Sequence, residues 1–286
     1  MASLPNYPEL SGQSVLITGA SSGIGAGLAS AFAAQGCHIA VNYPDTSAQS
    51  AAENIVNAIN SNGGNAITVQ ADVSLSDEVA AMMDATLTHF GKLDILVNNA
   101  GIARSAPVQD ISEADWDMVM AVHIKGTFLC TRAALPHMLE RDSGRIISTA
   151  SQLAYKGAPG FAHYTAAKGA ILSFMRTLAL EIGARNITAN CVAPGATLTA
   201  ILEDVPADIL EAIRLGIPRG KLAEVLNEIT RLSKKYDLPV ANAFHAGDGN
   251  LHPLIMFDAN NKESLKKCEE FGADILKYCV KVGGAL

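Results

Sequence analysis

SVLITGASSGIGAGLASAFAAQG, residues 14–36, decides the fold. Ser14 to Thr18 is an apolar run of strand length, and from about Ile24 the Ala, Leu and Phe positions recur at helical spacing. Between them stand Gly19, Gly23 and Gly25, a GxxxGxG spacing rather than the more familiar GxGxxG. The physics of the two turns is shared. Glycine permits a tight turn and a close backbone approach, and the following helix offers its unpaired N–H groups to an anion. Strand, glycine turn and helix in this order predict a cradle for a pyrophosphate.

Further along, β-rich runs near 38–43, 66–71, 93–98, 145–150 and 187–193 alternate with segments of helical period. That alternation predicts right-handed βαβ crossovers and an α/β fold, a doubly wound parallel sheet covered by helices on both faces. Ligands bind such sheets beyond the carboxyl ends of the strands.

The chain's 286 residues, 49% apolar and 17% charged, suit a large globular domain with room for a small appendage. A net charge of −7 without any Lys/Arg block argues against nucleic-acid or anionic-membrane partners. The opening MASLPNYPELSGQ has no basic segment leading into an apolar one, and no unbroken apolar run reaches the roughly 18 residues of a membrane span, so a cytoplasmic protein is expected. Cysteines 37, 130, 191, 268 and 279 are scattered without CxxC spacing, which predicts free thiols rather than disulfides or a cysteine zinc site.

Reactive chemistry is suggested by Tyr164 and Lys168, four residues apart in HYTAAKGAILSF, with Ser151 thirteen positions before the tyrosine. Residues at i and i+4 share a helix face, so an ammonium would lie beside a phenol. Bringing a phenol from its usual pKa of about 10 to near 7 requires about 4 kcal/mol of preferential stabilisation of the anion. A fixed cation in a desolvated cleft, helped by a second positive charge, is of that order. Tyr164 is therefore expected to have a lowered pKa.

TGASSGIG (18–25), ADV (71–73), NNAG (98–101), Ser151, YTAAK (164–168) and APGATLT (193–199) occur in one order. In that combination residues 10 to about 224 resemble the short-chain dehydrogenase/reductase family. The resemblance implies a Rossmann-like fold and hydride transfer between a nicotinamide and a small-molecule carbonyl or secondary alcohol. It implies Tyr164 as general acid/base, Lys168 as its activator and a ribose ligand, and Ser151 as the hydroxyl that polarises the substrate oxygen. The family's fourth catalytic member is usually an Asn; in AVHIKG (121–126) His123 stands there, either as a substitute in a proton relay or as interior packing.

By the same resemblance the cofactor would be held at three places. Gly19, Ser21, Ser22, Gly23, Ile24 and Gly25 would surround the phosphates, and Asp72, Val73, Asn99, Ala100 and Gly101 would line the adenosine side. Pro194, Gly195, Thr197 and Thr199 would position the nicotinamide. At the end of the second strand, HIAVNYPDTS places Asn42 and Tyr43 where a carboxylate would select NAD, which favours NADP; yet no arginine stands there to pair with a 2′-phosphate. The family also implies a homo-oligomer, dimer or tetramer; self-association is expected through the long helices near 114–139 and 162–183, with the second interface, built through the family's last strand, weakened.

The last quarter departs from that pattern. From about Ile217, and most specifically in FHAGDGNLHPLI (244–255), the chain resembles the C-terminal domain of FAD-linked glycolate oxidases and D-lactate dehydrogenases. This reads as a chimera, residues 1–216 joined to a truncated segment, 217–286, that forms a small α+β appendage. His245 and His252 are suitable metal imidazoles, but two ligands of a three-ligand site hold metal weakly, so no metal site is assigned. Without the family's last strand, the strand near 187–193 would be a sheet edge, to be paired by 239–244 or 251–257 or by neither. Two alternatives to an active oxidoreductase follow: a nucleotide-binding chimera with impaired catalysis, and a metal-binding fragment of a flavin-linked 2-hydroxy acid oxidase.

Overall fold

In the computed structural model of the protein, which describes residues 7–195, 197, 222–245, 250–255 and 261–282, every expected β-rich run forms a strand. β1 (Ser14–Ile17), β2 (His38–Tyr43), β3 (Asn65–Gln70), β4 (Ile95–Asn98), β5 (Gly144–Thr149) and β6 (Ile187–Val192) pair in parallel in the order β3-β2-β1-β4-β5-β6. They are linked by α1 (Gly23–Ala34), α2 (Gln49–Ser61), α3 (Ser76–Phe90), α4 (Glu113–Met120), α5 (Gly126–Glu140), α6 (Leu153–Lys156) and α7 (Ala162–Glu181). The strand order reverses between β1 and β4, so the loops leaving those two strands part and open a crevice.

Strand parity sorts the core. β1 is buried at every position, and its side chains still alternate between faces. Val15 and Ile17 pack with Ala29 of α1 and Ala52, Val56 and Ile59 of α2. Leu16 packs on the opposite face with Met82 of α3, Leu129 and Met138 of α5, and Ile171 and Met175 of α7. The strand bottoms are tied by Asp94, which accepts the Ser14 N–H at 2.9 Å, Arg141 Nη2 at 2.7 Å and Lys92 Nζ at 2.8 Å. Burial opposes its charge, but the two cations and the amide outweigh that and hold its carboxyl below the usual range.

Helix ends follow local chemistry. The Ser112 hydroxyl caps α4 by accepting the Asp115 N–H at 3.0 Å. Gly91 closes α3 in the left-handed conformation, φ 72°, its N–H on Leu87 O at 2.8 Å. Between α4 and α5, Ala121–Lys125 widen into a π turn, so Glu113–Glu140 is one continuous helical stretch. The most apolar 18-residue window within it has a mean hydropathy of 1.2, enough by length and composition to cross a membrane. It is nevertheless built as a core helix, with Val119, Leu129, Cys130, Ala134 and Met138 buried.

A second compact unit holds the C-terminal elements α8 (Leu222–Tyr236), β7 (Val240–His245), β8 (Asn250–Ile255) and α9 (Lys262–Lys281). Val225, Ile229 and Leu232 of α8 meet Phe271, Ile275 and Cys279 of α9 in its core, and Tyr236 stacks on Phe271 at 5.5 Å. This is the expected α+β appendage. β7 and β8 pair antiparallel with each other, His245 opposite Asn250 and His252 opposite Ala243, so neither is used to extend β6. Closing a short loop costs less chain entropy than docking on a distant edge. All five cysteines are free. Among the described residues no group of three or more His, Cys, Asp or Glu gathers as a metal would require.

Candidate active site

The glycine turn is shaped by close contacts. Gly19 has φ 61° and Gly23 φ 55°, and a Cβ on Gly19 would stand 2.7 Å from Ala100 Cα. A Cβ on Gly25 would run into Gly19 O and come within 2.7 Å of Asn99 Nδ2 and 2.8 Å of Ala20 Cα, so α1 can approach β1 and β4 only with glycine there. Ser22 enters α1 extended, φ −155°, with no capping bond from its hydroxyl, and the first turn carries no acidic side chain. The first helical bond runs from Ala26 N–H to Ser22 O, which leaves the N–H groups of Gly23, Ile24 and Gly25 ahead of the helical ladder. Ser22 and Gly23 are exposed and Ser21 is half-buried. An open, uncapped helix start without a carboxylate fits a pyrophosphate.

Across the crevice, the loop after β4 is clamped to the turn. Thr18 Oγ1 accepts the Asn99 N–H at 2.9 Å and the Ala100 N–H at 3.0 Å, and Asn99 Nδ2 donates to Thr18 O and Gly19 O at 3.0 and 3.1 Å. Asp72 closes its own turn, accepting the Ser74 N–H at 2.8 Å, while Val73 is buried against Gly126.

Asn42 is not free to meet a ligand. It is 1% exposed; Oδ1 accepts the Gly19 N–H at 3.0 Å, and Nδ2 donates to Val69 O and Ala71 O at 3.2 and 3.0 Å. This carboxamide fixes the glycine turn to the end of β3. Tyr43 is 7% exposed and belongs to the core on the α1 and α2 side, so its ring is likewise packing. Asp45 is the exposed carboxylate beyond β2, and it accepts hydrogen bonds from the Ser47 hydroxyl and, at 2.8 Å, the Ser47 N–H, which lower its pKa.

Ser151 lies two residues beyond β5, its hydroxyl accepting the Leu153 N–H at 3.1 Å as α6 begins. Tyr164 and Lys168 stand one turn apart on α7, with Lys168 Nζ 5.7 Å from the phenol ring centroid. The ammonium donates to Thr149 O at 2.6 Å, and burial lowers its pKa to about 7. His123, on the π turn, meets the Tyr164 ring edge-on, centroids 5.3 Å apart at 84°. It is 1% exposed, and burial first, then the Lys168 charge, lower its pKa to about 3.

Tyr164 departs from expectation in its electrostatics. Burial raises its pKa above that of a free phenol, and the hydrogen bond from Ser151 only partly opposes the rise. The spacing brings the two side chains together as anticipated, but the lysine's charge is directed at a backbone carbonyl. Two partners escaped the sequence reading: the Thr149 carbonyl, which carries no residue identity, and the Thr18 hydroxyl, one residue ahead of the glycine motif.

Pro194, Gly195 and Thr197 follow β6 in the chain and fall with the second unit; Thr197 Oγ1 donates to Gly195 O at 3.3 Å. Thr199 lies outside the described residues.

The family model described as short chain dehydrogenase matches residues 13–209. The chain belongs to that family. A second model, the C-terminal domain of FAD linked oxidases, matches residues 214–286, so the last quarter of this short-chain dehydrogenase is similar to a different family. Among its relatives, a 3-oxoacyl-[acyl-carrier-protein] reductase of Synechocystis is 44% identical over 208 residues, 72% of this chain and 83% of that protein. The versicolorin reductase stcU of Emericella nidulans is 43% identical over 258 residues, 87% of this chain and 93% of its own length. A short chain dehydrogenase from Burkholderia cenocepacia, solved in complex with NADP, is 35% identical with a TM-score of 0.66, covering 72% of this chain and 83% of that one.

Proposed function

We propose that the protein is an NAD(P)-dependent reductase or dehydrogenase acting on a carbonyl/secondary alcohol pair. The observation that carries this reading is the convergence of Ser151, Tyr164 and Lys168 at the same end of the sheet as the uncapped glycine turn. The cofactor is NADP or NAD, supplying or accepting the hydride. Gly19, Ser21, Ser22, Gly23, Ile24 and Gly25 would hold its phosphates, and Asp72, Val73, Asn99, Ala100 and Gly101 its adenosine side. By sequence alone, Pro194, Gly195, Thr197 and Thr199 would serve the nicotinamide. NADP is favoured by the absence of a carboxylate on β2's last residues and by the bound NADP of the Burkholderia relative.

In reduction, Tyr164 donates the phenolic proton to the carbonyl oxygen; in oxidation it accepts the alcohol proton. Ser151 orients and polarises the same oxygen. Lys168 supplies positive charge beside the phenol in its protonated form, which a pKa of about 7 keeps half populated at neutrality. The relatives act, by name, on a 3-oxoacyl-[acyl-carrier-protein] and on versicolorin, which supports a ketone within a larger carbon framework as the substrate class. Five free thiols fit a reducing, cytoplasmic setting.

Tyr164→Phe is the direct test. The reading expects kcat to fall by roughly 10²–10⁴ while the dissociation constant of NADPH changes little. Turnover close to wild type, followed by the absorbance of reduced nicotinamide, would overturn the proton role. A second reading is favoured by one observation, the end of the short-chain match at residue 209 and the start of a foreign one at 214. It is a protein that binds nucleotide without turnover, and it predicts NADPH binding with no oxidation across a broad panel of ketones.

A further inference from the structure

Buried polar atoms without a partner are few in a folded chain, and the place where they collect is informative. Among the described residues, five side-chain atoms are buried with no hydrogen bond: Asn98 Oδ1, His123 Nδ1, Gln152 Oε1, His163 Nδ1 and Thr165 Oγ1. Gln152, His163 and Thr165 each stand next in the chain to Ser151 or Tyr164, and His123 meets the Tyr164 ring edge-on. Four of the five therefore border the reacting groups, so the cost of burying them falls where a ligand would be held and not in the apolar core.

Gln152 is the one beside the hydroxyl that would orient the substrate oxygen. It is 4% exposed, and its backbone is fixed. Ser151 Oγ accepts the Leu153 N–H at 3.1 Å, and Gln152 O accepts the Tyr155 N–H at 3.0 Å and the Lys156 N–H at 3.3 Å. Gly157, at φ 69°, closes the turn with its N–H on Leu153 O at 2.9 Å. Further on, Ala106 N–H donates to Gly160 O at 3.0 Å, and a Cβ on Gly160 would stand 2.7 Å from Ser105 Oγ, so the loop after β4 closes against the segment that leads into Tyr164. Neighbouring Cα atoms are about 3.8 Å apart, so a group met by Gln152 lies only a few atoms from a carbonyl held by Ser151.

We propose that Gln152 is a specificity-determining residue whose carboxamide receives a hydroxyl of the substrate, a few atoms from the carbonyl handled by Ser151 and Tyr164. The preferred substrate is then a hydroxylated ketone. A hydroxyl both donates and accepts, so it matches the amide whichever of its two polar atoms fills the closed position. It supplies the partner that the folded chain withholds. A ketone without that hydroxyl leaves the amide buried and unpaired, the situation in which a site built on hydrogen bonds rejects an unsubstituted analogue. The role in selection rests on the reductase reading above; the unpaired state of the amide does not.

The experiment compares the full chain with its Gln152→Leu variant in two measurements. Leucine is close to glutamine in shape and has no polar atom to leave unpaired. Without any ligand the variant is expected to melt about 2 °C or more above wild type. An unchanged or lower Tm would mean that the amide is already satisfied, and would overturn the proposal. In the second measurement, NADPH-dependent reduction is followed for β-tetralone and its ring-hydroxylated isomers. Wild type is expected to favour at least one hydroxylated isomer over the parent by about tenfold in kcat/KM, and the leucine variant to bring that ratio to about one. A wild type indifferent to every hydroxyl, a preference that persists in the variant, or reduction of other carbonyls but none of this set would sink the proposal alone. If wild type reduces no carbonyl in a broad panel, the reductase reading fails and the selection role with it, while the melting comparison still decides whether the amide is unpaired.

Discussion

Tyr164 holds its proton more tightly than a free phenol because desolvation raises its pKa and the hydrogen bond with Ser151 only partly opposes the rise. The direction of that shift separates the two reactions. Reduction needs the protonated phenol, which is present throughout the neutral range. Oxidation needs the phenolate, whose fraction below the pKa grows about tenfold per pH unit. For a group raised above its usual value of about 10, kcat/KM for alcohol oxidation should therefore climb steadily from pH 7 to 9 while kcat/KM for carbonyl reduction does not. Paired pH profiles in the two directions check this, and an oxidation rate already level at pH 7 would contradict it. The i, i+4 spacing disclosed the pair, since any helix puts those positions on one face. It could not disclose the sign of the shift, because that depends on how far the assembled surroundings desolvate the phenol. Asn42 teaches the same lesson: its place in the chain suggested a ligand contact, and only the strand pairing shows its amide used up by Gly19, Val69 and Ala71.

Among the elements, the β1 turn and α1 give the sharpest contrast between two glycines. Gly25→Ala would force a methyl into the backbone at Gly19 and Ala20, which cannot yield as a flexible side chain would. A loss of about 1–3 kcal/mol and weakened nucleotide binding are expected. Gly27, two residues on, is exposed and would place its Cβ in open space. Gly27→Ala should leave nucleotide binding intact and stabilise α1 by about 0.5–1 kcal/mol. Thermal denaturation with and without NADPH distinguishes the two. The strands and helices of this region were legible because apolar runs and helical periodicity report them directly. The π turn at Ala121–Lys125 was not, since one extra residue in a helical turn leaves the apolar pattern of a long helix nearly unchanged.

For the molecule as a whole, we read self-association through the α4–α5 stretch and α7. On α7 Ala166, Ser173, Thr177 and Leu180 are exposed along one side, with the exposed Arg176 and Glu181 beside them; Leu180 is 85% exposed, and Phe128 of α5, itself 40% exposed, meets Phe174 edge-on. Apolar side chains left in water on adjacent long helices fit a second copy of the same surface. Leu180→Glu should shift the wild-type oligomer toward smaller species in light scattering, with the fold retained; a monomeric wild type would dismiss the idea. The second unit has its own core of Val225, Ile229, Leu232, Phe271 and Ile275, and within the sheet, among the described residues, β6 pairs with β5 alone.

The sequence by itself determined the order of strands and helices, the glycine turn, the Ser, Tyr and Lys set and a change of family near residue 217. Each is written in short-range periodicity, or in residue types that local geometry demands. The tertiary structure decided which strands lie side by side, that Asn42 braces the turn, that β7 and β8 choose each other, and that Tyr164 is harder rather than easier to deprotonate. Those outcomes depend on burial and on partners distant in the chain, and desolvation is a property of the assembled surroundings that no single stretch of residues encodes.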